Sequence, residues 1–131
     1  MPKYRKLHTK IIDSFDFNEM PNDFTRVCWL LLIVGVDSEG RGIDNPAWIH
    51  AKILPMRSDI TFQDIGKAFD WLSNRKMIVR YQVSGRDYFY LPAFKKYQTG
   101  TENEAASVLP TPDQLQTNSR ASKDKLKHLC I

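Results

Sequence analysis

The sequence predicts an α+β domain of three helices followed by a C-terminal β-hairpin. Three observations predict it. Apolar residues recur at helical spacing in three stretches, near 23–36, 46–54 and 61–74. From Met77 to Leu91 the pattern changes to apolar–polar alternation. Between the two alternating runs sits Ser84-Gly85, a hairpin turn signal. Helix, helix, helix, hairpin is the order of a winged helix-turn-helix, with the hairpin as the wing.

Each element has a local reason. The apolar Ile11-Ile12 pair predicts a short strand near His8–Ile12, and Phe15 and Phe17 are expected to anchor the loop after it. Met20-Pro-Asn-Asp23 reads as a helix start, because Pro suits the first turn and Asn or Asp caps exposed amides. The helix is expected to run to about Val36. Phe24, Val27, Cys28, Leu31, Leu32 and Gly35 keep helical spacing, while Leu30, Ile33 and Val34 make it apolar nearly all round. Such a helix belongs at the centre of a small domain. Asp37-Ser-Glu-Gly-Arg-Gly42 ends it in a turn.

Asn45-Pro46 starts the second helix, with Trp48, Ile49, Ile53 and Leu54 on its buried face and Pro55 as its stop. Thr61 and Asp64 form a capping-box pair for the third, although Asp is shorter than the preferred Glu. Ile65, Ala68, Phe69 and Leu72 are its core stripe; Gln63, Lys67, Asp70 and Asn74 fall on the opposite face. Arg75-Lys76 closes it, where cations complement the negative helix end. Strands are expected over Met77–Val83 and Tyr88–Leu91, then a basic-aromatic segment, Phe94–Gln98. The domain is thus placed at 1–98, with a basic N-terminal arm. Residues 99–131 are polar and aperiodic and read as linker or flexible tail, with one short helix expected over Lys123–Ile131.

A net charge of +4 and a pI near 9.1 permit nucleic-acid binding without demanding it. Distribution says more than the total. Lys3, Arg5, Lys6 and Lys10 stand without an acid in the first ten residues. Residues 11–60 hold eight carboxylates against four cations, and residues 61–98 hold seven cations against three carboxylates. Cys28 and Cys130 are too far apart for a zinc spacing or a disulfide framework, so a reducing, cytoplasmic setting is expected. The run Val27–Val36 is too short to span a bilayer, and the N-terminus lacks a signal peptide's apolar core.

In a helix-turn-helix the second helix enters the major groove, which here is the helix bearing Gln63, Lys67 and Asn74. Gln suits adenine and Lys suits guanine. The competing reading, a solvated helix face, stands beside it because Asp59, Asp64 and Asp70 share the same region. Arg86 at the hairpin tip is placed to meet phosphate or a minor groove, with Arg80, Lys95 and Lys96 extending that patch. The alternative is an ordinary solvated rim. The basic arm either tracks phosphates or serves as a solubilising end. Tyr81, Tyr88, Tyr90, Phe94 and Tyr97 suit base stacking less well than they suit core and cross-strand pairs. His8, His50 and His128 have no ligand spacing, and no residue set is arranged for acid–base or nucleophilic work. No enzyme, metal or cofactor is expected.

Four pieces together resemble a known family. They are the Leu/Trp-rich helix ending in Val36-Asp-Ser-Glu-Gly40, the segment Asn45-Pro-Ala-Trp-Ile-His-Ala-Lys-Ile-Leu-Pro55, the helix from Asp59 to Asn74, and Ile78-Val-Arg-Tyr-Gln-Val-Ser-Gly-Arg86 leading into Tyr90-Leu-Pro-Ala-Phe-Lys-Lys-Tyr-Gln98. In this order they resemble the N-terminal winged-helix domain of bacteriophage replication initiation proteins, the replisome organisers, and more remotely that of bacterial primosomal proteins. The likeness covers roughly residues 8–98. It implies double-stranded DNA binding at replication initiation in the host bacterial cytoplasm. It also implies replisome or helicase-loading partners and self-association. Longer relatives carry a second domain after a Pro-rich linker, and functions housed there do not transfer to a chain that ends soon after Pro110-Thr-Pro112.

Overall fold

The computed structural model describes residues 4–112. Its elements, in chain order, are α1 (Phe15–Asn18), α2 (Asp23–Gly35), β1 (Arg41–Ile43), α3 (Pro46–Ile53), α4 (Phe62–Asn74), β2 (Val79–Val83), β3 (Arg86–Tyr90) and α5 (Phe94–Tyr97). Short 3₁₀ turns at Thr9–Asp13 and Thr101–Asn103 flank this series. The three strands form one antiparallel sheet in the order β1-β3-β2. The fold is α+β.

Local chemistry explains the helix starts. The Asn22 side chain accepts from the Thr25 amide at 2.8 Å and caps α2. Pro21 therefore lies ahead of the cap, outside the first turn where the sequence placed it. Asn45 accepts from the amides of Ala47 and Trp48, with Pro46 at the first helical position. Thr61 and Asp64 exchange both bonds of a capping box, at 3.0 and 2.9 Å. Those bonds hold the exposed Asp64 carboxyl below its usual range.

At its other end α4 stops in a Schellman arrangement. Lys76 donates to the Ser73 carbonyl and Met77 to that of Leu72, both at 3.0 Å. Lys76 occupies the left-handed position, φ 62°, that glycine usually takes. This turn uses up Met77, so β2 begins at Val79 rather than at Met77.

Three other expectations are corrected. Thr9–Asp13 is a 3₁₀ turn, not a strand: the His8 ring nitrogen accepts from the Lys10 amide and curls the chain, and among the described residues no strand lies alongside to pair with it. Phe15 is 81% exposed and anchors nothing, whereas Phe17 packs on the core. The expected turn over 37–42 holds only its first half, closed by Gly40 donating to Asp37 at 3.0 Å; Arg41 then enters β1. Gly42 is at home there because a Cβ would sit 2.5 Å from the Phe89 ring.

The hairpin has a two-residue turn, with Val83 opposite Arg86. Ser84 and Gly85 both take positive φ, the type I′ geometry that matches strand twist. The sheet separates two apolar clusters. Phe89 points at the helices and meets Phe69 edge-on at 5.0 Å, within the core built by Cys28, Leu32, Ile49, Ile65 and Leu72. Burial pushes the Cys28 thiol up to about 12, the behaviour of a small core hydrophobe. Tyr81, Val83 and Tyr88 form the second cluster on the other face, with Tyr81 and Tyr88 stacked as a cross-strand pair.

The expected linker begins with ordered packing. Leu109 joins the Tyr81 cluster, and the Tyr81 hydroxyl donates to the Pro110 carbonyl at 2.6 Å. Ser107 donates to Asp37. Ordered contacts therefore continue past Gln98, as far as Pro110. The helix expected over Lys123–Ile131 lies outside the described residues. No helix among the described residues is long and apolar enough to cross a membrane.

Candidate nucleic-acid interface

The exposed face of α4 follows from its pattern. With Ile65, Ala68, Phe69 and Leu72 buried, Gln63, Lys67, Asp70 and Asn74 turn outward. Gln63, Lys67 and Asn74 make no side-chain hydrogen bond or ion pair among the described residues. Their donors and acceptors are free to meet a ligand. Arg86, at the start of β3, is exposed and equally unpartnered.

Arg80 has a different setting. Its guanidinium lies 3.1 Å from Asp44, just after β1, and 2.8 Å from Asp70 on α4. It also lies over the Phe69 ring, 5.6 Å from the centroid. Two carboxylates neutralise it, so it ties the sheet to α4 instead of standing ready for phosphate. Burial raises the Asp44 carboxyl above its usual value, and Arg80 pulls it back. Asp70 was visible as an acid on the exposed face; Asp44 could not be foreseen, since only the β1–β3 pairing brings it beside Arg80.

Arginines around α4 are matched in the same way. Arg57 grips Asp59 through two bonds of 2.9 and 2.8 Å. Arg75 reaches Asp16 at 3.1 Å and Glu19 at 2.7 Å, and covers the Trp71 ring.

The sequence grouped Arg86 with Lys95 and Lys96, and the fold parts them. Arg86 and Tyr90 are the two ends of β3, roughly 13 Å apart along a strand, and α5 lies beyond the Tyr90 end. Lys95 bonds Thr101 at 2.6 Å and lies 3.4 Å from Glu39. Lys96 sits over the Tyr97 ring.

Nor do Arg5 and Lys6 of the N-terminal arm hang free to track phosphates. The Arg5 side chain is 2% exposed. It donates to the carbonyls of Ile33, Val34 and Val36 at the end of α2, and to Glu104 at 2.5 Å. Gln98 clamps the Lys6 main chain from both sides, accepting its amide at 2.9 Å and donating to its carbonyl at 2.7 Å. Three of the five stacking candidates are likewise committed: Tyr81 and Tyr88 are buried, and Phe94 is core.

The candidate interface thus reduces to Gln63, Lys67 and Asn74 on α4 and Arg86 at the hairpin tip. In comparisons with protein-family models, curated proteins and solved structures, nothing matches the chain. The resemblance to replisome organisers accordingly rests on the residues quoted for it.

Proposed function

We propose that this chain is a winged-helix protein that binds double-stranded DNA and acts in phage replication initiation or its regulation. The order α2-β1-α3-α4-β2-β3 with sheet order β1-β3-β2 supports the winged-helix reading. α3, the connection over 54–61 and α4 correspond to the helix-turn-helix, and the Ser84-Gly85 hairpin to the wing. The observation that carries the binding reading is that Gln63, Lys67 and Asn74 on α4 and Arg86 on the hairpin are all exposed and, among the described residues, unpartnered. The replication context rests on the resemblance.

A duplex titration at two salt concentrations, with single strand alongside, tests it. Arg86→Ala and Lys67→Ala should each weaken duplex binding about tenfold and lower the salt slope by about one. Lys95→Ala should change neither. Unchanged duplex affinity at low salt in both of the first two variants would overturn the interface.

The neutralised arginines favour a second reading, a module for self-association or for docking on a replisome protein. Met56 and Phe62, exposed at the α3–α4 turn, add apolar surface to that side. Dimeric mass in solution without salt-sensitive DNA binding would select this reading over the first.

A further inference from the structure

We infer that a groove between the N-terminal arm and α2 captures an acidic segment of a partner protein, anchored by one large apolar side chain. The groove encloses about 170 Å³. That is below the roughly 300–1,000 Å³ of small-molecule and cofactor sites, and it suits a single anchoring side chain. Ile11, Phe17, Trp29 and Ile33 give it an apolar lining. Lys6 and Lys10 stand on its rim, and among the described residues no carboxylate lines it. Lys96 brings a third ammonium to Tyr97, which also borders the groove.

Charge complementarity selects the occupant. A rim of lysines with no acid attracts carboxylates and repels a basic or neutral segment by comparison. Among the described residues Lys10 makes no ion pair, and the Lys6 ammonium donates to the Thr99 hydroxyl. The site is also built in advance. Arg5 and Gln98 hold the arm on α2 and α5, so a ligand does not have to order it. Leu7, 56% exposed, stands at the edge as apolar surface for a ligand to cover. None of the exposed polar residues of α4 lines this groove, so peptide capture and DNA binding are separable.

Selection of a random phage-displayed peptide library on the full chain tests the proposal. Enriched peptides should carry Leu, Phe or Trp flanked by Asp or Glu. A synthetic copy of one should change tryptophan fluorescence, and Trp29→Phe should remove that change. Lys10→Glu and Leu7→Ser, both at exposed positions with folding checked by near-ultraviolet circular dichroism, should weaken capture about threefold to tenfold. Lys10→Glu should also relax the acidic preference. Arg86→Ala should leave capture intact whatever it does to DNA. No enrichment, or enrichment without acidic flanks, overturns the proposal. So does a dimeric mass abolished by Phe15→Ser, because a second copy would then fill the groove with its own Phe15 between Asp13 and Asp16.

Discussion

The cations beside α4 and those around Tyr97 follow opposite rules. Near α4, the arginines are bound to carboxylates: Arg57 to Asp59, Arg75 to Asp16 and Glu19, Arg80 to Asp44 and Asp70. Around Tyr97, Lys6, Lys10 and Lys96 have no carboxylate partner among the described residues. Arginine's planar fork suits bidentate pairing, whereas a lysine ammonium stays hydrated on a flexible stem. The first region commits its arginines to ion pairs, and among the described residues it leaves cations such as Lys67, Lys76 and Arg86 without a carboxylate partner for a polyanion to meet. The second keeps its charge for whatever arrives. A basic pI therefore says little about which face of this molecule is positive.

Lys95, 3.4 Å from Glu39, departs from that division, but Arg5 departs furthest and yields the largest expected effect. Arg5 belongs to the arm, yet it is buried and paired with Glu104, which is 16% exposed. Among the described residues its buried Nε has no partner, so the arrangement is not ideal even when intact. Arg5→Ala leaves Glu104 and three carbonyls at the end of α2 without their donor. Chemical denaturation should give a loss of about 3 kcal/mol. Peptide capture should fall with it, because the arm forms one wall of the groove. The double variant Arg5→Met, Glu104→Leu should recover part of the stability, since no buried charge is then stranded. Stability unchanged in Arg5→Ala would mean that the arm is not held on α2 in solution.

What was legible in advance was local chemistry. Asn22, Asn45 and the Thr61/Asp64 pair announce helix starts through side chains that reach amides two or three residues away. Ser84-Gly85 announces its turn in the same way. β1 escaped because it has three residues and lies among turn formers, and its partner β3 is remote in sequence. Gly42 looked like a turn residue, although the Phe89 ring is what requires it. Ile11-Ile12 looked like a strand because β-branched residues favour strands, and no pattern reveals the absence of a neighbour. The candidate site divided along the same line. Gln63, Lys67 and Asn74 were readable from helical period. The fate of Arg80 and the distance between Arg86 and Lys95 depend on how strands pair, and no local pattern carries that.

A smaller effect comes from the end of α4. Lys76 is a cation of this region without a carboxylate partner among the described residues, and it holds a backbone conformation unfavourable to a side chain, φ 62°. Lys76→Gly should raise stability by about 0.5–1 kcal/mol, net of the extra freedom glycine has when unfolded. Thermal melting checks the sign. The same variant asks whether Lys76 belongs with Lys67 and Arg86: an unchanged salt slope for duplex binding places it outside the interface, and a slope lower by about one places it inside.

The smallest expected effect probes the division most directly. If carboxylates near α4 hold arginine away from phosphate, removing one should release it. Asp70 is the exposed partner of Arg80, and Asp44 is the half-buried one that would remain. Asp70→Asn should strengthen duplex binding about threefold at low salt, partly by deleting a negative charge and partly by freeing Arg80. A double-mutant cycle separates the two contributions. In an Arg80→Ala background the gain should shrink to the part due to deleted charge alone. An equal gain in both backgrounds would mean that Arg80 never leaves Asp44 and acts only as a tie between sheet and helix. In that case Arg80 adds nothing to the charge that Lys67 and Arg86 would offer a duplex.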